Sequence, residues 1–152
     1  MKSILLRAAG LLLCSILCLG NVAHAAEKGS VEEAKAMAEK AADLLRREGP
    51  EKAYAAFSQP AGPFLDRDLY VFVWDSTGKC VFNAGLPSVV GKTLIDLKDP
   101  DGVMFVRNFI AVKDAAWVEF KGSNQITQKI ERKLNYIVAV GDLRVGVGAF
   151  PD

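Results

Sequence analysis

Histidine and cysteine are scarce in this chain of 152 residues, which has one histidine and three cysteines. All but one of these four crowd into one place. His24, Cys14 and Cys18 fall before Glu27, in a stretch that holds no acidic residue. Lys2 and Arg7 lie in or before an apolar run from Ile4 to Leu19, and Ala23-His24-Ala25 follows with small residues. This is the layout of a secretory signal peptide, with cleavage expected after Ala25. Cleavage leaves 152 − 25 = 127 residues with no histidine and one cysteine, Cys80. A triad with a histidine base, a histidine-ligated metal site, a covalent haem motif and an intramolecular disulfide framework are then all excluded. No metal and no cofactor are expected. Lys2 and Arg7 leave with the signal, so 19 − 2 = 17 basic side chains face 18 acidic ones, a net charge of −1. Such a chain attracts no polyanion, and nucleic acid is not an expected partner.

Two rival readings apply to the N-terminal segment. As an uncleaved anchor it offers only 13 apolar residues, Ala8 to Gly20, against the roughly 20 of a spanning helix. As a lipoprotein signal it lacks the Leu-small-small-Cys pattern at both Cys14 and Cys18. Cys80 reads as a small buried hydrophobe beside Val81, the alternative being a thiol that pairs between molecules.

The remaining length suits one domain with one core, and no repeat or Pro/Gly-rich linker divides it. Ser30 and Glu33 form a capping-box pattern, and Val31, Ala34, Ala38, Ala41 and Leu45 recur at helical spacing. Gly49-Pro50 ends this helix and opens a second, short one through Phe57. From Leu69 the period is two. Leu69 to Trp74 and Lys79 to Phe82 predict a hairpin turned at Asp75-Ser76-Thr77-Gly78. Tyr70, Phe72 and Trp74 point one way, Leu69, Val71 and Val73 the other, so the strand is covered on both faces. Asp101 is a candidate N-cap for a helix over Val103 to Val112. Further strands are expected from Trp117, over Leu134 to Val140, and over Leu143 to Phe150. Gly146 and Gly148 share a face of the last, where something must come close. The order fits an α+β fold: a mostly antiparallel five-stranded sheet with the long helix on one side.

Several strings in this order closely resemble the single-module (type 2) Cache domain, a PAS-like extracytoplasmic sensor domain. They are Gly49-Pro50-Glu51-Lys52-Ala53-Tyr54, Gly62-Pro63-Phe64 and Asp68 to Asp75 with Gly78. The likeness continues through Gly91-Lys92 and Leu97 to Gly102, and resumes at Trp117-Val118, Lys133, Tyr136 and Val145 to Gly148. It implies a PAS-like fold over residues 26–152, with a helix-loop segment crossing one face and a small-molecule pocket beneath. It also implies a small organic ligand, generally an anion, and a signal-transduction role. With the sequence ending at Asp152, the expected route is through a separate membrane receptor or transmitter protein. The chain departs from the family in one loop. Where relatives carry Tyr and then Asn-Pro, it has Phe120 and Asn124-Gln125, so the family's usual ligand does not carry over.

The candidate ligand-binding residues are Tyr70, Trp74, Arg107, Trp117, Lys133 and Tyr136. Arg107 interrupts an apolar helix, and its fork suits a planar carboxylate; with Asn108 it equally fits the wet face of that helix. Lys133 stands at the family's lysine position and Tyr136 at its tyrosine, although Lys129, Arg132 and Lys133 also read as a solvated strand. Tyr70, Trp74 and Trp117 suit a pocket wall or simple core packing. Asp99 and Asp101 do not match a calcium loop. No residue is expected to be catalytic: Asp66 and Asp68 lack a nucleophile or histidine beside them, and Asp68 is expected to cap the strand entrance or pair with Arg67. The chain is thus expected to be a binding module for a small anion. The alternative is an accessory subunit of a membrane-associated complex, docking through an apolar face with its pocket self-filled.

Overall fold

A computed structural model describes residues 27–151 of the protein. The expected signal peptide and its cleavage point lie outside the described residues. Among the described residues no helix is long and apolar enough to cross a membrane.

Helix α1, Val31–Phe57, starts where the capping pattern places it. The Glu33 amide donates to Ser30 Oγ at 3.1 Å, and the Glu33 carboxylate accepts from the Ser30 amide at 2.7 Å. Both orphan donors of the first turn are thereby satisfied. At Gly49 the backbone leaves helical geometry (φ 79°, ψ 171°), and Pro50 restarts it, so α1 is two helices joined by a kink. Ala34, Ala38, Ala41 and Ala42 are fully buried on the inner face. Side chains this small bring the helix close to the sheet, and Leu45 and Phe57 supply bulk at its far end.

The sheet comprises β1 (Leu65–Asp66), β2 (Leu69–Asp75), β3 (Cys80–Asn83), β4 (Ala115–Ser123), β5 (Ile130–Val140) and β6 (Leu143–Ala149). Its spatial order is β1-β2-β6-β5-β4, with β3 also paired to β2 and every pairing antiparallel. The expected five strands are present, and β1 is an additional one, two residues long, too short to leave a period in the sequence. The β2–β3 turn is tied by Asp75, whose carboxylate accepts from the amides of Thr77 and Lys79. Alternation along β2 then divides the core. Leu69, Val71 and Val73 pack under α1 with Val145 and Val147, whereas Phe72 and Trp74 face the other side with Cys80 and Ile137. Cys80 is fully buried, its thiol pushed up to about 11 by desolvation.

That second face is crossed by residues 84–104 and by helix α2, Phe105–Ala111. The helix is shorter than the expected span, and Asp101 does not cap it; Met104 occupies the N-cap without a side-chain bond. Asp99 organises the approach instead. Its Oδ2 accepts from the Lys121 amide of β4 at 2.8 Å, and its Oδ1 from the amides of Val103 and Asp101. These donors, Lys121 first, hold the Asp99 carboxyl below the usual range. Asp101 pairs with the Lys121 ammonium at 2.9 Å.

Candidate functional site

Between the sheet and the crossing segment lies a cavity of about 160 Å³. Its floor is Tyr70, Phe72 and Trp74 of β2 with Lys133 and Asn135 of β5; its roof is Leu86, Leu94, Leu97, Phe105 and Phe109, and Phe120 of β4 closes the side. The aromatic rings brace one another. Phe105 stacks on Phe120 with centroids 4.1 Å apart, and Phe109 stacks on Phe72 at 5.4 Å. Such a wall is apolar and already formed, as small-molecule sites generally are.

The polar end is built on Lys133, which is only 4% exposed. Its Nζ donates to the Tyr70 hydroxyl at 3.0 Å and lies over two rings, 4.5 Å from the Tyr70 centroid and 4.8 Å from that of Phe150. Among the described residues it forms no ion pair with a carboxylate. Cation–π contact is worth roughly 0.5–2 kcal/mol, whereas a buried charge without a counterion costs several kcal/mol even after relaxation. An anion beside Nζ would close that gap. Asn135 stands two residues on. Its Nδ2 donates to the carbonyls of Val118 and Lys133, and its buried Oδ1 has no partner among the described residues.

Glycines opposite these residues make the room. Gly148 pairs with Asn135 and Gly146 with Ile137 across β5 and β6. A Cβ on Gly148 would strike the Asn135 carboxamide and Lys133 Cε; one on Gly146 would strike Phe72 and Ile137. What comes close to the glycine face is therefore the floor of the cavity.

Of the six expected ligand-binding residues, the structure brings Tyr70, Trp74 and Lys133 together at the cavity and places three elsewhere. Val106 and Phe109 set the buried face of α2, which turns Arg107 outward. Its side chain is 54% exposed and pairs with Asp96. Tyr136 is one residue out of phase with Lys133 and Asn135, so it packs toward α1, with Lys35 over its ring at 5.3 Å. Trp117, its cross-strand partner, is 40% exposed and meets that ring edge-on at 4.9 Å. Asn135 was not singled out from sequence, and the Phe105, Phe109 and Phe120 cluster was not expected as a cavity wall. Asn135 had a signal, its two-residue spacing from Lys133. Asp68 does not pair with Arg67, which binds Asp66 and Glu33; Asp68 accepts from the Gly29 amide at 2.6 Å.

A PAS-like sheet with a largely apolar cavity under a crossing helix-loop segment defines a small-molecule sensor domain. The chain belongs to the family Single Cache domain 2, which matches residues 16–149; it is an extracytoplasmic sensor module. Solved structures share the fold. A methyl-accepting chemotaxis protein from Vibrio parahaemolyticus is 23% identical, covers 80% of this chain and 88% of its own, and superposes with a TM-score of 0.68. A periplasmic sensor domain of a chemotaxis protein is 18% identical, with 80% and 90% covered and a TM-score of 0.62. A Cache chemosensory domain solved for its carboxylic acid recognition is 16% identical, with 80% and 88% covered and a TM-score of 0.60. Among curated proteins none matches.

Proposed function

We propose that residues 26–152 form a module that binds a small carboxylic acid in the cavity beside Lys133 and reports its occupancy to a membrane-bound transmitter. The observation that carries this reading is the buried Lys133 ammonium, without a counterion among the described residues, at the end of an apolar cavity. The carboxylate would accept from Nζ and from the Tyr70 hydroxyl, with its alkyl part against Phe72, Trp74 and Phe109. A dry cavity near 150 Å³ holds a benzene-sized guest, so an acid of about six heavy atoms fits. The chemosensory relative that recognises carboxylic acids supports this class of ligand. Relatives in chemotaxis receptors support a transmitter partner. The accessory-subunit alternative has less behind it. The alanine face that would serve as its docking surface is turned against the sheet, and the cavity is not filled by its own side chains.

The test is calorimetry and thermal melting of the purified protein with short carboxylic acids from acetate to butyrate. Binding to the native state raises the melting temperature with concentration. Lys133→Met is expected to weaken binding by about a hundredfold, the scale of losing a charge-assisted contact in a buried site. The same substitution relieves the uncompensated charge, so the unliganded variant is expected to melt no lower than the wild type. Unaltered acid binding by the variant would exclude Lys133 as the anion site.

A further inference from the structure

A second cavity, of about 170 Å³, adjoins the first. Tyr70, Ser123 and Gln125 border both, and Phe150, one of the two rings beneath the Lys133 ammonium, lines the second. The Tyr70–Lys133 hydrogen bond therefore stands at the seam between them. Asp68 lines the second cavity and is 6% exposed. Its Oδ1 is taken by the Gly29 amide, but its Oδ2 is buried without a partner among the described residues. The adjacent cation does not serve it: Arg67 is committed to Asp66, Glu33 and the Lys28 carbonyl. A buried carboxylate oxygen without a donor is as incomplete as a buried ammonium without an anion. The molecule thus holds two such groups of opposite character around one pair of adjoining cavities.

We propose that the ligand of this module is a short carboxylic acid that also carries a hydrogen-bond donor, a hydroxyl or an ammonium, and that this donor is received by Asp68 Oδ2. The inference rests on the anion reading of Lys133 and narrows it to hydroxy or amino acids over plain alkyl acids. It also gives Asp68 two tasks: one oxygen holds Gly29, next to the α1 N-cap Ser30, and the other meets the ligand. Occupancy of the second cavity thereby touches the residue that fixes the entry to the long helix.

The test is calorimetry of the purified protein with two matched sets: propionate, lactate and alanine, then butyrate, 4-hydroxybutyrate and 4-aminobutyrate. In at least one set the donor-bearing acid is expected to bind about tenfold or more tightly than the alkyl acid, because a buried acceptor left unpaired penalises the analogue lacking the donor. Asp68→Asn keeps an oxygen for the Gly29 amide and replaces the orphan acceptor by an NH₂ group. It should remove the preference between the donor-bearing acid and its alkyl partner. Equal affinities within both sets in the wild type overturn the proposal without any variant, and so does a preference that survives Asp68→Asn. If no acid binds, or Lys133→Met binds acids normally, the anion reading falls and this inference with it. Alkyl acids that bind through Lys133 without discrimination overturn only the role of Asp68.

Discussion

Gly148 shows how closely the candidate site depends on a residue with no side chain. Lys133 crosses the sheet over this position on its way to Tyr70, and Asn135 sits directly across from it. Gly148→Ala inserts a methyl where both already lie, and neither can yield without moving the ammonium or uncovering the carboxamide. Overpacking of this kind costs about 1–3 kcal/mol. The expected outcome is a lower melting temperature together with weakened acid binding, read by the same calorimetry; a variant that binds normally would show that Lys133 does not need this path. A second residue-scale expectation concerns acid. The Arg67 guanidinium, then the Ser30 amide, lowers Glu33 from 4.5 to about 2. A carboxylate depressed in the folded state contributes stability that is complete above the unfolded value and is lost as pH falls from 4.5 toward about 2. Asp99 acts in the same direction, through its amide donors. Asp75 does too, its hydrogen bonds from Thr77 and Lys79 outweighing the burial that opposes them. Melting curves from pH 6 to about pH 2 should therefore fall on the acid side, and Glu33→Gln should make that fall shallower while lowering the plateau near neutrality.

At the scale of elements, what the sequence discloses depends on how much of an element is governed by itself. The capping box of α1, its alanine face, the break at Gly49-Pro50 and the β2–β3 hairpin are local patterns, and each is where the pattern puts it. Helix α2 and β1 are set by their surroundings. Asp99 bonds to an amide of β4 some twenty residues on, which no short-range rule anticipates. The site residues divide by phase. Lys133 and Tyr136 are three apart on a strand, an odd spacing that puts them on opposite faces, so the sequence itself forbade both from lining one cavity. Arg107 next to the buried Val106, three before Phe109, is likewise outward by helical phase. The aromatic roof stayed hidden because it forms only when α2 lands on β4. The kink in α1 can be tested directly. Gly49 lies in a backbone region open essentially only to glycine, although a Cβ there would meet no neighbour. Gly49→Ala should cost about 1–3 kcal/mol from backbone strain alone, seen as a lower denaturation midpoint with ligand affinity retained, since the cavity is on the other face of the sheet.

For the whole molecule, the two faces of the sheet differ in how firmly they are covered. The α1 face is a long helix, kinked at Gly49, on valines and alanines. The cavity face is roofed by residues 84–104, held to the sheet edge by backbone bonds such as those between Cys80 and residues Gly91 and Lys92, and by the short α2. Leu86 and Leu97 line the cavity and still show over 40% of their surface to solvent. Segments with few buried contacts open locally at lower free energy than the core, so this roof is the expected route for ligand entry. A ligand that binds only the closed form raises the free energy of opening by the same amount as its binding. Hydrogen exchange with and without a saturating acid should therefore show slowed exchange over residues 84–111 and over the Lys133 end of β5. The exchange of α1 before Gly49 should change only as far as global stability does. Protection confined to α1, with none in the roof, would mean that the acid binds outside this cavity. Protection of the roof together with the first turn of α1, through the Asp68 bond to Gly29, would mark the path by which an occupied cavity reaches the N-terminal helix.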